Sequence, residues 1–303
     1  MNLVHSLAVI FGIISIGLFC GRKKLFHEVH IEGFELFLFK VALPCYLFSA
    51  ILSNDFASLV NLPYVFCYLL SFFSIGLFTA LYFFRDHSLS STCIKILASG
   101  YVNTAIYSLP VITFLLGDPK AAVLSNLLQV VIIQSSFLII LSLSQHREQS
   151  LPKRLANSLL TPLIILPVIS IVLSYYQIKP HFIITTITKN LGNGASSIAL
   201  FIFGLALSQI HLKKEHFNKT LCFLVFTKNL IHPIIAFLLG KYVFHLEHYW
   251  LYSMVISASS PTAFIIYIIA KQFSTDTQLV KLMVAVSSVF SLIFLVFVSQ
   301  MIA

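Results

Sequence analysis

Residues 93–116 read CIKILASGYVNTAIYSLPVITFLL, and residues 249–270 read YWLYSMVISASSPTAFIIYIIA. Both stretches are long enough to cross a membrane as a helix, which needs about 20 mostly apolar residues. Each is nevertheless interrupted near its centre by a polar cluster with a proline, Pro110 in the first and Pro261 in the second. Proline lacks a backbone N–H and disfavours helix in the residue before it. The two prolines therefore predict two broken membrane helices.

The composition places these helices in an integral membrane protein. Of 303 residues, 58% are hydrophobic and only 10% are charged, and the mean hydropathy is +0.96, whereas a soluble domain carries about 25% charged residues. The net charge of +9 would suggest nucleic acid as a partner of a soluble chain. Here we expect a lipid bilayer and no nucleic acid, because the basic residues follow the membrane topology.

Charged residues, Pro, Gly and Asn divide the chain into ten apolar runs, which predict an all-α polytopic membrane protein. The predicted spans are roughly 3–21, 31–53, 63–84, 93–116, 120–144, 157–177, 182–210, 220–243, 249–270 and 277–302. The joining segments are too short for a soluble domain. We therefore expect any function to reside within the membrane or at its two surfaces.

The basic residues predict the orientation. Arg22, Lys23 and Lys24 directly follow the first run, which favours an N-terminus outside the cytoplasm. With ten spans counted from there, thirteen Lys and Arg residues fall on the inner side and four on the outer side, leaving Lys40 and Lys228 within spans. The sequence thus predicts a multi-pass protein of the cytoplasmic (inner) membrane with both termini outside the cytoplasm.

The two broken spans occupy the fourth place in each half of the chain. This predicts two five-helix repeats, 1–145 and 157–303, joined by a cytoplasmic linker at 146–156. Since five is an odd number, the second repeat would be inverted. Half-helices starting near Pro110 and Pro261 would then approach the midplane from opposite sides, each with free N–H groups and a partial positive charge. Broken backbone survives in a membrane only where it lines a cavity or packs against protein. The pattern predicts an anion transport site.

Several short motifs, in order along the chain, resemble the auxin efflux carrier family, which includes plant auxin carriers and bacterial malonate and malate carriers. They are Leu43-Pro44 with Leu47-Phe48; Asn103-Thr104 with Leu109-Pro110 and Gly117; Leu191-Gly192 with Ala199-Leu200 and Gly204-Leu205-Ala206-Leu207; Lys228 with His232-Pro233; and Pro261 with Ala270. The chain departs from the pattern at Ala105, Ser108, Thr262 and Ile265, so we expect the same fold with a partly remodelled wall of the site.

This resemblance implies a ten-helix fold of two inverted repeats within the bile acid/auxin carrier-like superfamily, with helices 4 and 9 broken and crossing. It also implies scaffold helices 1, 2, 6 and 7, transport helices 3–5 and 8–10, an elevator mechanism, and a homodimer formed through the scaffold.

The candidate substrate-binding residues are Asn103, Thr104, Ser259 and Ser260, because short amides and hydroxyls complement half-helix N–H groups around a carboxylate. The same side chains are also suited to capping open helix ends. Lys228 would supply positive potential near the anion or, alternatively, donate to backbone opened by a helix break. Second choices are Tyr107, Asn126, Gln129, Asn229 and Ser287.

Candidates for coupling are few, since no carboxylate lies at the centre of a broken helix. His232 is a candidate proton carrier, because imidazole titrates near physiological pH. The alternative, which the sequence favours, is a hydrogen-bonded histidine at the Pro233 kink. Lys40 is expected to pair with Glu35 or Glu32. No metal site and no cofactor are expected, and the coupling ion would be H⁺ or Na⁺.

These features favour a secondary active transporter of a small organic anion, a mono- or dicarboxylate resembling malonate, malate or auxin. An enzyme is disfavoured because no paired carboxylates, metal ligands or activated nucleophile are convincingly placed. Two alternatives remain open: a sodium-coupled organic anion symporter of the bile-acid type, and a non-transporting sensor or scaffold on the same fold.

Overall fold

A computed structural model of the chain describes residues 3–53, 60–85, 88–144, 160–209 and 218–302. Within these ranges every regular element is a helix, as the composition predicts. The α-helices are α1 Leu3–Arg22, α2 Glu28–Phe37, α3 Leu43–Leu52, α4 Leu62–Tyr82, α5 Leu89–Gly100, α6 Leu109–Leu116, α7 Lys120–Leu127, α8 Ser135–Ser144, α9 Pro162–Tyr175, α10 Phe182–Gly192, α11 Ala195–Ser208, α12 Lys219–Phe226, α13 His232–Leu238, α14 His248–Ser259, α15 Phe264–Gln272 and α16 Thr277–Ile302. Five π-helical turns join some of them: Leu38–Ala42, Thr104–Ser108, Leu128–Gln134, Thr227–Ile231 and Leu239–Val243.

Six helical stretches among the described residues are long and apolar enough to cross a membrane: Val29–Leu52, Leu62–Tyr82, Lys120–Leu141, Phe182–Ser208, Lys219–Val243 and Thr277–Gln300. Leu7–Arg22, Thr104–Leu116 and Pro162–Tyr175 are shorter apolar helices. This supports a multi-pass membrane protein. The arrangement of ten spans as an inverted repeat stays a prediction, and the predicted linker at 146–156 lies outside the described residues.

π-Helical turns accommodate three of the prolines. Pro44, Pro110 and Pro233 each occupy one of the first two positions of an α-helix that directly follows a π turn. Proline lacks the N–H that an α-helix needs and its ring crowds the carbonyl four residues earlier, whereas a π turn shifts the hydrogen bonding by one residue. A helix can therefore continue through proline at these positions.

Pro110 is consequently not the point at which its helix breaks, contrary to the prediction. The chain leaves α5 at Gly100, is non-helical at residues 101–103, and resumes helix at Thr104, six residues before Pro110. The π turn Thr104–Ser108 absorbs the proline instead. Pro261, in contrast, lies within the unwound stretch between α14 and α15, where the sequence predicts the break.

The described helices form two compact units. The first contains α1–α3, α6, α7 and α9–α11, and the second contains α4, α5, α8 and α12–α16. The predicted scaffold spans 1, 2, 6 and 7 all lie in the first unit, spans 3, 8, 9 and 10 lie in the second, and spans 4 and 5 are divided between them. The units therefore do not coincide with the two halves of the sequence.

The first unit is built on close contact between α1 and α11. A Cβ atom added at Gly17 would clash with the carbonyl oxygen of Phe201, and one added at Gly204 would clash with the carbonyl oxygen of Ile14. Glycine at both positions lets the two backbones touch, which strengthens helix packing in lipid. Elsewhere in this unit, Ser49 on α3 donates a hydrogen bond of 3.0 Å to Thr188 on α10.

The second unit joins α4 and α5 through a buried hydroxyl pair, Thr79 and Ser99, whose oxygens lie 2.8 Å apart. Its helices α12, α13, α14 and α16 pack around the π turn Thr227–Ile231. This unit contains both of the unwound stretches, 101–103 and 260–263.

Candidate functional site

The candidate site is built from the two unwound stretches of the second unit. Tyr101 leaves α5 in extended conformation, with φ −79° and ψ 118°. Ser260 leaves α14 with φ −65° and ψ 153°, and Ala263 precedes α15 with φ −70° and ψ 138°. Both helices therefore give way to three or four residues of extended chain in the middle of an apolar sequence.

The two extended stretches pair with each other. Val102 and Thr262 form an isolated antiparallel β-bridge. The N–H of Asn103 donates to the carbonyl oxygen of Pro261 at 2.8 Å, and the N–H of Ala263 donates to the carbonyl oxygen of Tyr101 at 3.3 Å. Unwound backbone in a membrane is costly unless its polar groups are satisfied. Here each break satisfies part of the other, so they form a crossing, which we define as residues 101–103 and 260–263.

Side chains cap the helix ends that lead into the crossing. The hydroxyl of Thr262 donates to the carbonyl oxygen of Ala98 at 2.7 Å, and the ammonium of Lys228 donates to the carbonyl oxygen of Ala258 at 2.8 Å. Ala98 and Ala258 each lie four residues before a partner of the Val102–Thr262 bridge. The last carbonyls of a helix lack partners within it. Thr262 and Lys228 therefore supply donors to equivalent carbonyls, near the C-terminal ends of α5 and α14.

Lys228 is completely buried. Its Nζ lies 3.4 Å from Nδ1 of His232, which is 4% exposed. The helices that pack against the π turn of Lys228 are α4, α5, α12, α13, α14 and α16, and none of them contains Asp or Glu. A buried charge without a nearby carboxylate is costly in hydrocarbon and indicates a functional role. A protonated Lys228 would thus place positive charge next to the unwound end of α14.

A second polar network fixes the Thr262 side of the crossing. The amide of Asn229 donates to the carbonyl oxygen of Ser287 at 3.2 Å and to the hydroxyl of Ser291 at 3.1 Å. The hydroxyl of Ser287 in turn accepts the backbone N–H of Thr262 at 3.0 Å. The π turn, α16 and the crossing are therefore joined by hydrogen bonds through two of the residues predicted as second choices.

The four residues predicted to contact substrate differ in availability. Ser259 and Ser260 are 2% and 0% exposed, and both hydroxyls donate to the carbonyl oxygen of Ile256 within their own helix. Thr104 is 2% exposed. Asn103 alone among the four is half-buried rather than buried. In this conformation the two serines serve the capping role, while Asn103 presents surface at the crossing.

Three second choices belong to the first unit. Tyr107 is buried with its ring 5.3 Å from that of Phe203, Gln129 is buried, and the buried Nδ2 of Asn126 has no hydrogen-bond partner. They are therefore not part of the crossing as defined within the second unit.

Lys40 also differs from its expected role. It lies in the π turn Leu38–Ala42, is exposed, and makes no ion pair with Glu35 or Glu32 among the described side chains. A lysine on an outward-facing turn can extend its flexible stem to polar surroundings. The two intramembrane lysines thus have opposite environments, since Lys228 is enclosed.

Sequence reasoning missed the role of Thr262, which it treated only as a departure from a family pattern. Thr262 uses two groups that a second proline after Pro261 would lack: its backbone N–H, which donates to Ser287, and its hydroxyl, which donates to the carbonyl oxygen of Ala98. A hydroxyl residue directly after a helix-breaking proline was the available signal, because such side chains satisfy freed backbone groups in membrane helices.

Comparison with curated proteins finds no match. Residues 2–299 match the family model described as membrane transport protein, which is the auxin efflux carrier family. This match spans essentially the whole chain and confirms the resemblance found from the short motifs. The protein, with its two paired helix breaks, therefore belongs to the auxin efflux carrier family of membrane transport proteins.

Proposed function

We propose that this membrane transporter is a secondary carrier of small organic anions, namely mono- or dicarboxylates such as malonate, malate or auxin-like acids. The observation that carries the proposal is the buried ammonium of Lys228, which lies against the unwound end of α14 without a carboxylate on the helices around it. An anion bound at the crossing would balance this charge.

Two further features support an anion. Asn103 is half-buried at the crossing, and its amide has two N–H donors suited to a carboxylate. The helix α15 begins at Phe264, directly after the crossing, and a helix N-terminus carries a partial positive charge. We assign substrate contact to Asn103 in this conformation, and to the buried Thr104 once its hydroxyl turns away from the carbonyl oxygen of Val102. Ser259 and Ser260 would join them once their hydroxyls turn away from Ile256.

For the mechanism, we propose elevator-type alternating access in which the second unit carries the substrate. Spans 1, 2, 6 and 7 would form the scaffold and would also provide the contacts of a homodimer. The protein would act in the cytoplasmic membrane with both termini outside the cytoplasm. The division of the described helices into two compact units supports this proposal.

The test is uptake of radiolabelled malonate, malate, acetate and indole-3-acetate into proteoliposomes, with Asn103→Ala and the exposed-residue control Asn193→Ala measured alongside. We expect saturable uptake of at least one anion, a large loss in Asn103→Ala, and little change in the control. Folded protein that neither takes up nor exchanges any of these anions would overturn the assignment and favour a non-transporting sensor. Uptake that requires a sodium gradient would favour the sodium-coupled alternative.

A further inference from the structure

Lys228 and His232 form a buried pair of basic groups. Their nitrogens lie 3.4 Å apart, and the two side chains are 0% and 4% exposed. A charged lysine has only donors, so Nδ1 of His232 accepts from it only when the imidazole is neutral. When Lys228 is charged, a hydrogen bond at this contact therefore requires a neutral imidazole.

The surroundings limit the pair to a single excess proton. The helices packed against it carry no Asp or Glu, and their buried titratable or charged side chains are Tyr64, Cys67, Tyr68, Cys93 and Lys95. None of these supplies a negative charge at neutral pH, and Lys95 adds a positive one, placed 4.5 Å from the centre of the Phe83 ring. Two cations at 3.4 Å in such an interior repel strongly, because nothing nearby compensates them. Such a pair loses its protons as a coupled unit.

The pair is also linked to the crossing. The same Nζ donates to the carbonyl oxygen of Ala258, at the unwound end of α14. A charged donor strengthens this bond, and a cation at a helix C-terminus is favourable. The number of protons on the pair therefore affects the cap of the helix that borders the proposed anion site.

We propose that Lys228 and His232 form a one-proton site that couples anion transport to proton movement, without a metal cation. The proposal rests on the function proposed above. The pair is protonated when the anion is bound, so that anion and proton cross together. After the anion leaves, the Lys228 ammonium passes one proton to Nδ1 of His232. The resulting imidazolium releases its Nε2 proton to water, and both side chains are left neutral.

The test uses the full-length protein in proteoliposomes with the membrane potential clamped at zero. It compares two readouts for malonate and malate, because acetate and indole-3-acetate cross a bilayer as neutral acids and follow a pH gradient without a carrier. The first is exchange of labelled for unlabelled anion at equal pH, which needs binding and movement but no net proton flux. The second is accumulation driven by a pH gradient or by a sodium gradient.

For wild type we expect exchange. We also expect accumulation that approaches tenfold when the outside is one pH unit more acidic than the inside, and that does not depend on a sodium gradient. His232→Gln should retain exchange but accumulate less than twofold. His248→Gln, an exposed histidine at the start of α14 in the same unit, is the matched control and should behave as wild type.

The outcomes separate this inference from the function on which it rests. Absence of exchange for every anion would overturn the carrier assignment and the coupling with it. Exchange with accumulation that ignores pH, or that follows sodium, would overturn the coupling alone, and so would pH-driven accumulation in His232→Gln. If His232→Gln does not fold, the wild-type protein provides the test. Binding of the exchanged anion in weak buffer should then be accompanied by uptake of up to one proton per protein. No proton uptake at any pH between 5 and 9 would overturn the proposal.

Discussion

The hydroxyl of Thr262 donates to the carbonyl oxygen of Ala98, 2.7 Å away, across 164 positions of sequence. Thr262 and Ala98 border the two helix interruptions, and both residues are 0% exposed. The bond therefore fastens one break to the helix that precedes the other.

Thr262→Val should destabilise the protein while keeping its shape. It leaves the Ala98 carbonyl without this donor, and an unsatisfied buried group costs about 1–3 kcal/mol. Thermal unfolding in detergent should show a lower Tm than for wild type. Thr262→Pro should lower Tm further, because it also removes the N–H that reaches Ser287. Thr220→Val, at a half-buried threonine of the same unit, is the control, and an equal effect there would count against the capping role.

Lys228→Met should lower the apparent affinity for the transported anion by about tenfold or more, since a hydrogen bond to a charged group contributes about 1.5–3 kcal/mol. The measurement is KM for uptake. Lys40→Met is a matched control, because Lys40 also lies in a π turn before a proline but is exposed. Equal losses in both variants would show that Lys228 has no special relation to the anion.

Ser259→Ala and Ser260→Ala should each reduce uptake by less than about threefold. Their hydroxyls donate to a carbonyl of their own helix and so are turned away from substrate in this conformation. Asn103→Ala should reduce uptake by about tenfold or more, the effect of losing roughly 1.5 kcal/mol of polar contact. Initial rates of uptake at low substrate concentration distinguish the two classes. The reverse order would mean that the serines contact substrate more closely than Asn103 does.

Gly17→Val should destabilise the first unit. A Cβ at this position would clash with the carbonyl oxygen of Phe201, and overpacking of this kind costs about 1–3 kcal/mol. Gly12→Val, in the same helix, is a close control, since a Cβ there meets nothing within 4 Å. Thermal unfolding should separate the variants, and similar Tm values would contradict backbone contact between α1 and α11.

The predicted orientation is tested by cysteine labelling in a variant without the five native cysteines. Lys179→Cys should react with a membrane-impermeant maleimide added to intact cells, whereas Lys271→Cys should react only after permeabilisation. Both lysines are exposed, so access is set by the side of the membrane. Labelling in the opposite pattern would place both termini in the cytoplasm.

The sequence was informative where a local signal determined the structure. Pro261 lies within its interruption, where proline and its neighbours bias the backbone directly. Pro110 was misleading because the preceding turn adopts π-helical hydrogen bonding, which absorbs the missing N–H. No residue type in that turn is specific to a π-helix, so the position of the break at residues 101–103 was not predictable from the local sequence pattern.

The contacts of the site could not be read from sequence, because they join distant segments. Both roles considered for Lys228 remain compatible with the structure: it donates to backbone opened by a break, and it brings a buried charge to that point. The bridge between Val102 and Thr262 and the pairing of Lys228 with His232 depend on how the helices pack. Polar residues near a break predict that a site exists, but not which of them are already engaged.

The Val102–Thr262 bridge is made by main-chain atoms alone: the N–H of Asn103 donates to the carbonyl of Pro261, and the N–H of Ala263 donates to the carbonyl of Tyr101. Main-chain hydrogen bonds are available to almost any amino acid. The side chain of Asn103 can therefore be exchanged with little risk to the pairing of the two stretches, unlike that of Thr262, whose hydroxyl reaches Ala98. The crossing is therefore suited to redesign: substitutions at Asn103 can alter substrate preference while the paired backbone that presents this side chain stays in place.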